Sequence, residues 1–493
     1  MRSSARTFLA LEFELGRNTA RIRRHAAIGT GLVALVGLLG SSEVCAMQGK
    51  GAGKTAVPAE AAGQVEKVDA LGLTLTIPLE ITQLRALPPD EPSSQRKAGW
   101  SGTLGTQEVW IYVYGMPREE FGYLEPDDVS EGIRDSFRLN QDPEFRFDET
   151  EIVRGPFGHA SYASLGFGPL HERETKSVTG TFFVLAGLGE AHGYAIEVES
   201  KPVLEGPSTA VVLDFLRKGV SCSAKPRDPR WTNEEVEARW LKDAPPALAK
   251  KREKPVRTKH YVFLSNTDAA KQMGSYMEKF YSRIQELYPF PEVEGRRLLP
   301  VFLFRNPEEY HAFFVSAFQS TLEEARKSKG VAWRDFYATY YDAPQDPVHI
   351  HEATHQIFAN RLHLGGGGSW FQEGVAEYAS TSASDRTDAS NLVKKGRHRK
   401  LVEFVTVESL LFSTSDEDKR SDDRASSGYS QAALLIEFVM ESKWSKAKFQ
   451  DWLHALGKCP SNDLAAIEQA MQKTLGVDLA GFEQKWIEYC KDR

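Results

Sequence analysis

The stretch HEATH, from His351 to His355, constrains this chain more than any other feature. Asp346 can cap a helix and Pro347 suits its first position, so the stretch is predicted to lie inside a helix. Two histidines four residues apart then share one helix face, with Cβ atoms about 5–6 Å apart. With 12 His in 493 residues, the pattern H-E-x-x-H would arise by chance only about 0.03 times in such a chain. A ligand shared by the two histidines is therefore favoured.

Zinc is the ligand that this pattern favours, because two imidazoles on one helix face can bind one Zn²⁺ at roughly 2.0–2.1 Å. Glu352 lies beside that face, where it can hold a water as a general base instead of binding the metal. The competing interpretation is that His351 and His355 are ordinary helix residues. His349 and His363 are reserve ligands, but neither has the four-residue spacing to both motif histidines, and both are expected to be partly exposed.

A third protein ligand is expected on a second helix, because a catalytic zinc keeps three protein ligands and one open position. In the stretch SWFQEGVAEYA, Ser369 and Gln372 have the spacing of a capping box, which predicts a helix that starts at Trp370. Glu373 would lie in its first turn and is the predicted third ligand. The glycines at 365–368 would let the chain reverse, so that this helix packs beside the first.

Glu377 follows the predicted third ligand by one helical turn and projects from the same face. We expect it to accept a hydrogen bond from the free ring nitrogen of His351, which would fix the tautomer of that imidazole. A solvated position, or an ion pair within its own helix, is the alternative for Glu377.

HEATH and the downstream WFQEGVAEY, with seventeen residues between His355 and Glu373, resemble the gluzincin metallopeptidases, particularly the one-zinc aminopeptidases and a set of exported bacterial families of that clan. The resemblance covers roughly residues 258–493 and implies a zincin-like fold, one zinc per chain and Glu373 as the third ligand. SGYSQAALLIEFV resembles the segment in which these enzymes carry an oxyanion-stabilising tyrosine, which implies that role for Tyr429. Packing of Tyr429 against Ala433 is the alternative.

Two departures limit what the resemblance implies. The G-x-M-E-N segment with which the aminopeptidases grip a substrate amino terminus is absent from the sequence. The N-E-x-x-S-D arrangement of thermolysin-like enzymes is also missing, since Gln372 precedes the Glu and Glu377 replaces the Asp. The metzincin clan is a separate alternative, and the sequence excludes it because Phe358 and Arg361 stand where its motif requires Gly and His. The clan is therefore better supported than any one named activity.

Zinc-dependent hydrolysis of a peptide bond is the predicted reaction. Glu352 would take a proton from the attacking water and return it to the leaving amine, while Tyr429 would hydrogen-bond the developing oxyanion. Two alternatives are a non-catalytic envelope binding protein on a peptidase-like fold and a zinc hydrolase of a non-peptide amide. The intact general base favours catalysis. The polar stretch 381–428 is predicted to be a mobile loop that gates the cleft.

Residues 1–46 are predicted to be a secretory signal peptide with cleavage after Ala46. Its apolar run, residues 26–40, is shorter than the about 20 residues of a membrane span. The mature chain is therefore expected to lack a membrane span and to lie in the periplasm, in the cell envelope or outside the cell. Lipidation of Cys45 is a weaker alternative, and retention of the segment as an anchor stays open.

The rest of the chain divides by pattern into a spacer, two domains and a linker. Residues 47–65 form the predicted spacer; their GKGAGKT lacks the first glycine of a phosphate loop and a preceding strand. A period of two across 66–222 predicts a small, sandwich-like β-rich α/β domain. The Pro- and Lys-rich stretch 223–257 predicts a linker. Alternating strands and helices across 258–493, mostly helical after Tyr429, predict a mixed sheet with a helical end, so the fold class is α+β.

Charge and cysteine content bound the partners. Cleavage after residue 46 would remove six Arg and three Glu, which takes the net charge from −7 to −10. An acidic exported protein has no electrostatic reason to bind nucleic acid, so a peptide or protein substrate is the predicted partner. Export permits disulfides, and for Cys459 and Cys490 a bridge and two buried free thiols both remain open.

Overall fold

A computed structural model describes residues 63–90, 95–117, 125–142, 144, 145, 147, 149–154, 162–189, 192–224, 238, 252–293, 296–333, 336–407, 410, 428–461 and 463–492. The predicted signal peptide, most of the spacer 47–65 and most of the linker 223–257 lie outside these residues. The chain divides into two compact units. Unit 1 takes in the described residues up to 224 together with Val293–Arg297, and unit 2 takes in most of the remainder.

Unit 1 is built mainly of strands. In chain order its elements are β1 (Gly63–Val68), β2 (Leu73–Pro78), β3 (Ile81–Ala86), β4 (Arg96–Leu104), β5 (Gln107–Pro117), α1 (Pro126–Asn140), β6 (Glu149–Arg154), β7 (Tyr162–His171), β8 (Val178–Leu188), β9 (His192–Lys201), α2 (Pro207–Lys218) and β10 (Val220–Cys222). One sheet has the order β1-β2-β10 and the other the order β3-β4-β5-β9-β8-β7-β6.

The two sheets of unit 1 share a core because their strands alternate. Leu73, Leu75 and Ile77 of β2 are buried in one cluster with Ile111 and Val113 of β5. β8 and β9 pair antiparallel in the larger sheet. Every second residue of β2 is buried, as a period of two requires, whereas β5 is buried on both faces, with Tyr112 and Tyr114 in a second cluster.

Unit 2 combines a mixed sheet with many helices. In chain order its elements are β11 (Val256–Arg257), β12 (Tyr261–Ser265), α3 (Ala270–Leu287), β13 (Leu299–Phe304), α4 (Pro307–Phe318), α5 (Leu322–Ala325), β14 (Gly330–Trp333), β15 (Phe336–Tyr340), α6 (Pro347–Ile357), α7 (Ser369–Ser380), α8 (Ala383–Lys394), α9 (Leu401–Phe404), α10 (Gly428–Glu441), α11 (Phe449–Gly457), α12 (Leu464–Leu475) and α13 (Leu479–Asp492). The strand order is β11-β12-β13-β15-β14.

The sheet of unit 2 separates two layers of side chains. β12, β13 and β15 run parallel, and β14 pairs antiparallel with β15 at the edge of the described sheet. Tyr337 of β15 is buried in one cluster with Ile350 and Ala353 of α6. Its neighbour Phe336 points to the other face, where its ring lies 4.8 Å from Phe302 and 6.1 Å from Phe313 of α4. Helix α6 and helix α4 therefore cover opposite faces.

The α+β class that the sequence predicts is confirmed, since both units combine sheets with helices. Cys459 and Cys490 are buried free thiols, so no bridge joins them. Among the described residues, no helix is both long and apolar enough to cross a bilayer.

The prediction of a loop over 381–428 is wrong for its first part. Residues 383–394 form α8, and residues 408–427 lie almost wholly outside the described residues. Helix α8 forms because it packs on α10: the Arg386 guanidinium, buried, bonds the buried Glu437 carboxylate and also donates to the Thr381 carbonyl at 2.9 Å. The polar composition of this stretch did not indicate a packed helix, because a buried arginine is unusual unless it is paired, and its partner cannot be read from the local sequence.

Candidate metal centre

Helix α6 begins where the sequence predicts. The Asp346 carboxylate accepts a hydrogen bond from the Val348 N–H at 3.0 Å, and Pro347 occupies the first helical position. Both predictions for this helix start are confirmed. After Ile357 the helix widens into a π-helical turn over Phe358–Leu362, a feature often found beside functional sites.

Helix α7 begins one residue earlier than predicted, and the capping box is wrong. Gly368 is the N-cap, with φ of 85°, and no side chain caps the helix. The Ser369 hydroxyl instead accepts a hydrogen bond from the Leu410 N–H at 3.1 Å. Gln372 donates to the carbonyls of Leu364 and Gly366 at 2.9 and 2.6 Å, so its amide holds the glycine turn and not the helix start.

The glycine turn joins α6 to α7 through close backbone contacts. Gly366 N–H donates to the Gly457 carbonyl at 2.7 Å, and Gly367 N–H donates to the Cys459 carbonyl at 2.8 Å. A Cβ at Gly366 would lie 2.1 Å from the Cys459 carbonyl oxygen, so only glycine fits there. The predicted chain reversal is present, and it depends on contact with the end of α11.

The structure brings the three predicted ligands together. His351 Nε2 lies 3.1 Å from Glu373 Oε2, His355 Nε2 lies 3.6 Å from the same oxygen, and the two Nε2 atoms are 3.2 Å apart. All three side chains are largely buried, with exposed fractions of 14% for His351, 18% for His355 and 19% for Glu373. Their donor atoms face one point from two helices.

This donor set fits a zinc ion. Two imidazole nitrogens and one carboxylate oxygen are ligands that Zn²⁺ accepts, and bonds of 2.0–2.1 Å in a tetrahedral site put ligand atoms about 3.3–3.4 Å apart. The observed separations of 3.1, 3.2 and 3.6 Å bracket that value. Within the described part of the chain, this is the only group of three or more His, Cys, Asp or Glu residues whose ligand atoms all lie within 4.8 Å of one another.

Glu377 approaches the opposite nitrogen of the first histidine. Its Oε2 lies 3.4 Å from His351 Nδ1, so one imidazole has a carboxylate at each nitrogen. Burial alone would lower the pKa of His351, but its hydrogen bonds to Glu373 and Glu377 outweigh burial and raise the pKa to about 10. Burial would raise the pKa of Glu373, yet the charge of His355 and the hydrogen bonds from both histidines hold it well below its usual range.

Glu352 is anchored by the edge strand β14. Its Oε2 accepts a hydrogen bond from the Ala332 N–H at 2.6 Å. Gly330 of the same strand makes room for the Tyr337 ring, from which a Cβ there would lie 2.9 Å, whereas Glu352 Cγ would be in ordinary contact at 3.4 Å. The carboxylate is thus held beside the histidine pair, close enough to contribute to the raised pKa of His351.

Tyr429 opens α10 next to the cluster. Its ring centroid lies 6.4 Å from that of His351. Burial, and then the negative charges of Glu373, Glu352 and Glu377, raise the pKa of the Tyr429 hydroxyl far above its usual value, so the group keeps its proton. The Tyr429 ring also packs against the main core of unit 2, so the packing that the sequence offers as the alternative is present.

The two reserve histidines take no part in the cluster. His349 is buried, contrary to the prediction of partial exposure, and its Nδ1 and Nε2 lie 2.7 Å from the Tyr337 hydroxyl and 2.9 Å from the Ala343 carbonyl. His363 is exposed and follows the π-helical turn in a left-handed conformation. Neither nitrogen of His349 is left for a metal.

Sequence reasoning missed β14 and β15, and with them the anchor of Glu352. The stretches VAW and FYATY have the aromatic and β-branched content of strands and are separated by two residues. Those two residues are Arg-Asp instead of the Asn-Gly or Asp-Gly pair that marks a tight hairpin, so the strongest hairpin signal is missing.

Comparison of the sequence with models of known protein families and with curated proteins found no match.

Proposed function

We propose that this protein is a zinc-dependent hydrolase that cleaves peptide bonds, of the gluzincin type that its motifs resemble. The observation that carries the proposal is the cluster of His351, His355 and Glu373, whose donor atoms lie within 4.8 Å of one another, with the carboxylate of Glu352 on the adjacent helix position. A metal-binding scaffold alone has no need of that carboxylate. Its presence supports catalysis over the non-catalytic binding protein.

His351, His355 and Glu373 would hold the metal, which when bound supplies a Lewis acid that activates water and polarises a carbonyl. Glu352 would accept the proton of the attacking water and then donate it to the leaving amine. Its hydrogen bond to Ala332 N–H restricts the carboxylate to one orientation, which favours a repeated proton transfer along the same path. Glu377 would keep the imidazole of His351 in one tautomer.

Tyr429 would stabilise the oxyanion. Its hydroxyl keeps its proton because burial and the nearby carboxylates raise its pKa, so it can donate a hydrogen bond throughout the reaction. It stands at the first turn of α10, where the partial positive charge of a helix N-terminus also favours a developing negative charge. The Tyr429 hydroxyl and the N-terminus of α10 would therefore both stabilise the oxyanion.

An extended peptide is the substrate best matched to the sheet. The Ala332 N–H points away from β15, because it donates to Glu352 and not to the partner strand. The outer edge of β14 therefore faces the candidate general base. Because Glu352 takes the Ala332 N–H, an extended segment would pair with this edge through the Ala332 carbonyl, which points to the same side as the N–H. A non-peptide amide would gain nothing from this edge.

The proposed setting is the cell envelope or the outside of the cell, on the strength of the signal peptide predicted for residues 1–46.

Metal analysis tests the proposal first. The purified protein should carry about one zinc per chain, and a His351→Ala, His355→Ala double variant should lose it because two of three ligands are gone. A His363→Ala variant is the matched control, since His363 is exposed and outside the cluster, and it should keep its zinc. Near-stoichiometric zinc in the double variant would contradict the proposed site.

A further inference from the structure

A half-buried apolar surface borders β14 on the sheet face opposite to the metal centre. It consists of Phe314 and Phe318 of α4 with Val331 and Trp333 of β14, and we call these four residues the ledge. The ring of Trp333 lies 5.5 Å from that of Phe318, which lies 4.9 Å from that of Phe314. The ledge thus continues the aromatic layer under α4 out to the edge of the sheet.

The ledge is continuous with the candidate active site through the backbone of β14. Ala332, whose N–H holds Glu352, is followed directly by Trp333. Successive side chains of a strand point to opposite faces, so Ala332 shares the face of Tyr337 and α6 while Trp333 shares the face of Phe336 and α4. The residue that anchors the candidate general base and the first ledge residue after it are therefore neighbours along β14.

We infer that the ledge binds a large apolar side chain of an extended substrate, and that it thereby sets the specificity of the enzyme. The inference rests on the proposed function and on substrate pairing with the outer edge of β14. A substrate residue opposite Ala332 would project toward the metal centre, and the residue beside it in sequence would project over Trp333 and Phe318.

The chemistry of the ledge selects this occupant. Its four side chains offer aromatic and aliphatic carbon, so a charged or small polar substrate side chain would gain little there. Phenylalanine, tyrosine or leucine at the matching substrate position would lose water-exposed apolar area on binding. Alternate substrate positions should show no such preference, because their side chains point to the other face.

A positional scanning peptide library tests the inference by two independent measurements. The first is the dissociation constant of each peptide for the Glu352→Gln protein, and the second is kcat/KM for cleavage by the active protein. We expect one peptide position to prefer Phe or Leu over Ser by about tenfold or more in both measurements. Trp333→Ala and Phe318→Ala should each remove most of that preference and leave other positions unchanged.

Phe280→Ala is the matched control, because Phe280 is a half-buried aromatic residue of α3 outside the ledge, and it should keep the preference. Ledge variants that retain zinc and still rank the peptides as wild type does would overturn the inference. Selective binding without any cleavage would support the ledge and contradict the proposed function. Cleavage without an apolar preference would support the proposed function and contradict the inference about the ledge. A protein that neither binds nor cleaves any peptide would contradict the proposed function and the inference alike.

Discussion

At the scale of single residues, His351 has a carboxylate beside each of its ring nitrogens. It lies between the carboxylates of Glu373 and Glu377, and these outweigh its burial to raise its pKa to about 10 in the metal-free protein. Near neutral pH its imidazole is therefore protonated, whereas only a neutral imidazole binds a metal. Metal and proton compete for this residue.

Zinc binding near neutral pH should consequently release a proton, and zinc affinity should rise with pH up to about pH 10. Calorimetric titration in buffers of different ionisation enthalpy measures the number of protons released. Glu377→Gln removes one anionic partner of His351 and so lowers its pKa, which should move the end of proton release to a lower pH than in wild type. Binding with no proton release in the wild-type protein would show that His351 is neutral before zinc arrives.

Tyr429→Phe should retain zinc and lower kcat by about 10²–10³, because it removes one hydrogen bond to the oxyanion while the fold of α10 persists. Tyr378→Phe is the matched control: the Tyr378 hydroxyl donates to Glu441 at 2.8 Å on the far end of α10, and its loss should leave kcat unchanged. Equal rates for Tyr429→Phe and wild type would reduce Tyr429 to a packing residue.

The residues of the cluster are predictable from sequence because helix geometry fixes them. A four-residue spacing puts His351 and His355 on one face wherever the helix lies in the molecule. The anchor of Glu352 is not predictable in this way, since Ala332 precedes it by 20 positions and contributes only a backbone N–H. Every residue except proline has a backbone N–H, so the residue type at position 332 does not indicate such a contact.

At the scale of elements, the site depends on the turn between α6 and α7. The sequence predicts both helices and the reversal, but it assigns the wrong contacts to Ser369 and Gln372, which bond Leu410 and the glycine turn. A capping box is a local pattern, and here tertiary partners compete for the same side chains. The loop prediction for the stretch that forms α8 is wrong for a similar reason, because the partner of Arg386 is Glu437 on another helix.

Gly366→Ala should weaken zinc binding without touching a ligand. The added methyl group would lie 2.1 Å from the Cys459 carbonyl oxygen, so the turn must move and carry Glu373 with α7. We expect a loss of about 1–3 kcal/mol in the free energy of unfolding as well.

Gly396→Ala is the control for Gly366→Ala, because a Cβ there meets nothing within 4 Å and only its φ of 65° is unfavourable. That variant should cost some stability and leave the zinc affinity as in wild type. Equal zinc affinities for the two variants would show that the turn does not position Glu373.

At the scale of the whole molecule, the described chain divides into two compact units, and the metal cluster lies wholly in unit 2. The α+β class follows from the change of period along the sequence. The assignment of Val293–Arg297 to unit 1 does not, since its neighbours on both sides belong to unit 2. Arg296 of this segment is buried against Glu125 and Asp127, an ion-pair contact that no periodicity encodes.

Limited proteolysis tests the predicted linker at 223–257, whose Pro- and Lys-rich composition favours early cleavage. The first cut should fall there and yield a larger fragment that contains HEATH and retains zinc. Saturation with zinc should leave the first cut unchanged, because the cluster lies outside this stretch. First cuts inside β5, β9 or β13 would contradict the predicted boundary.

The measurement that tests the central claim most directly compares Glu352→Gln with wild type in one preparation series, using a cleavable peptide found by library screening. The substitution keeps the size of the side chain and all three ligands but removes the group that accepts the proton. Zinc content should stay at about one per chain while turnover falls by roughly 10²–10⁴. Glu403→Gln, at an exposed position of α9, should change neither. A Glu352→Gln protein that cleaves the peptide as fast as wild type would contradict catalysis by HEATH and leave the binding protein as the explanation of this fold.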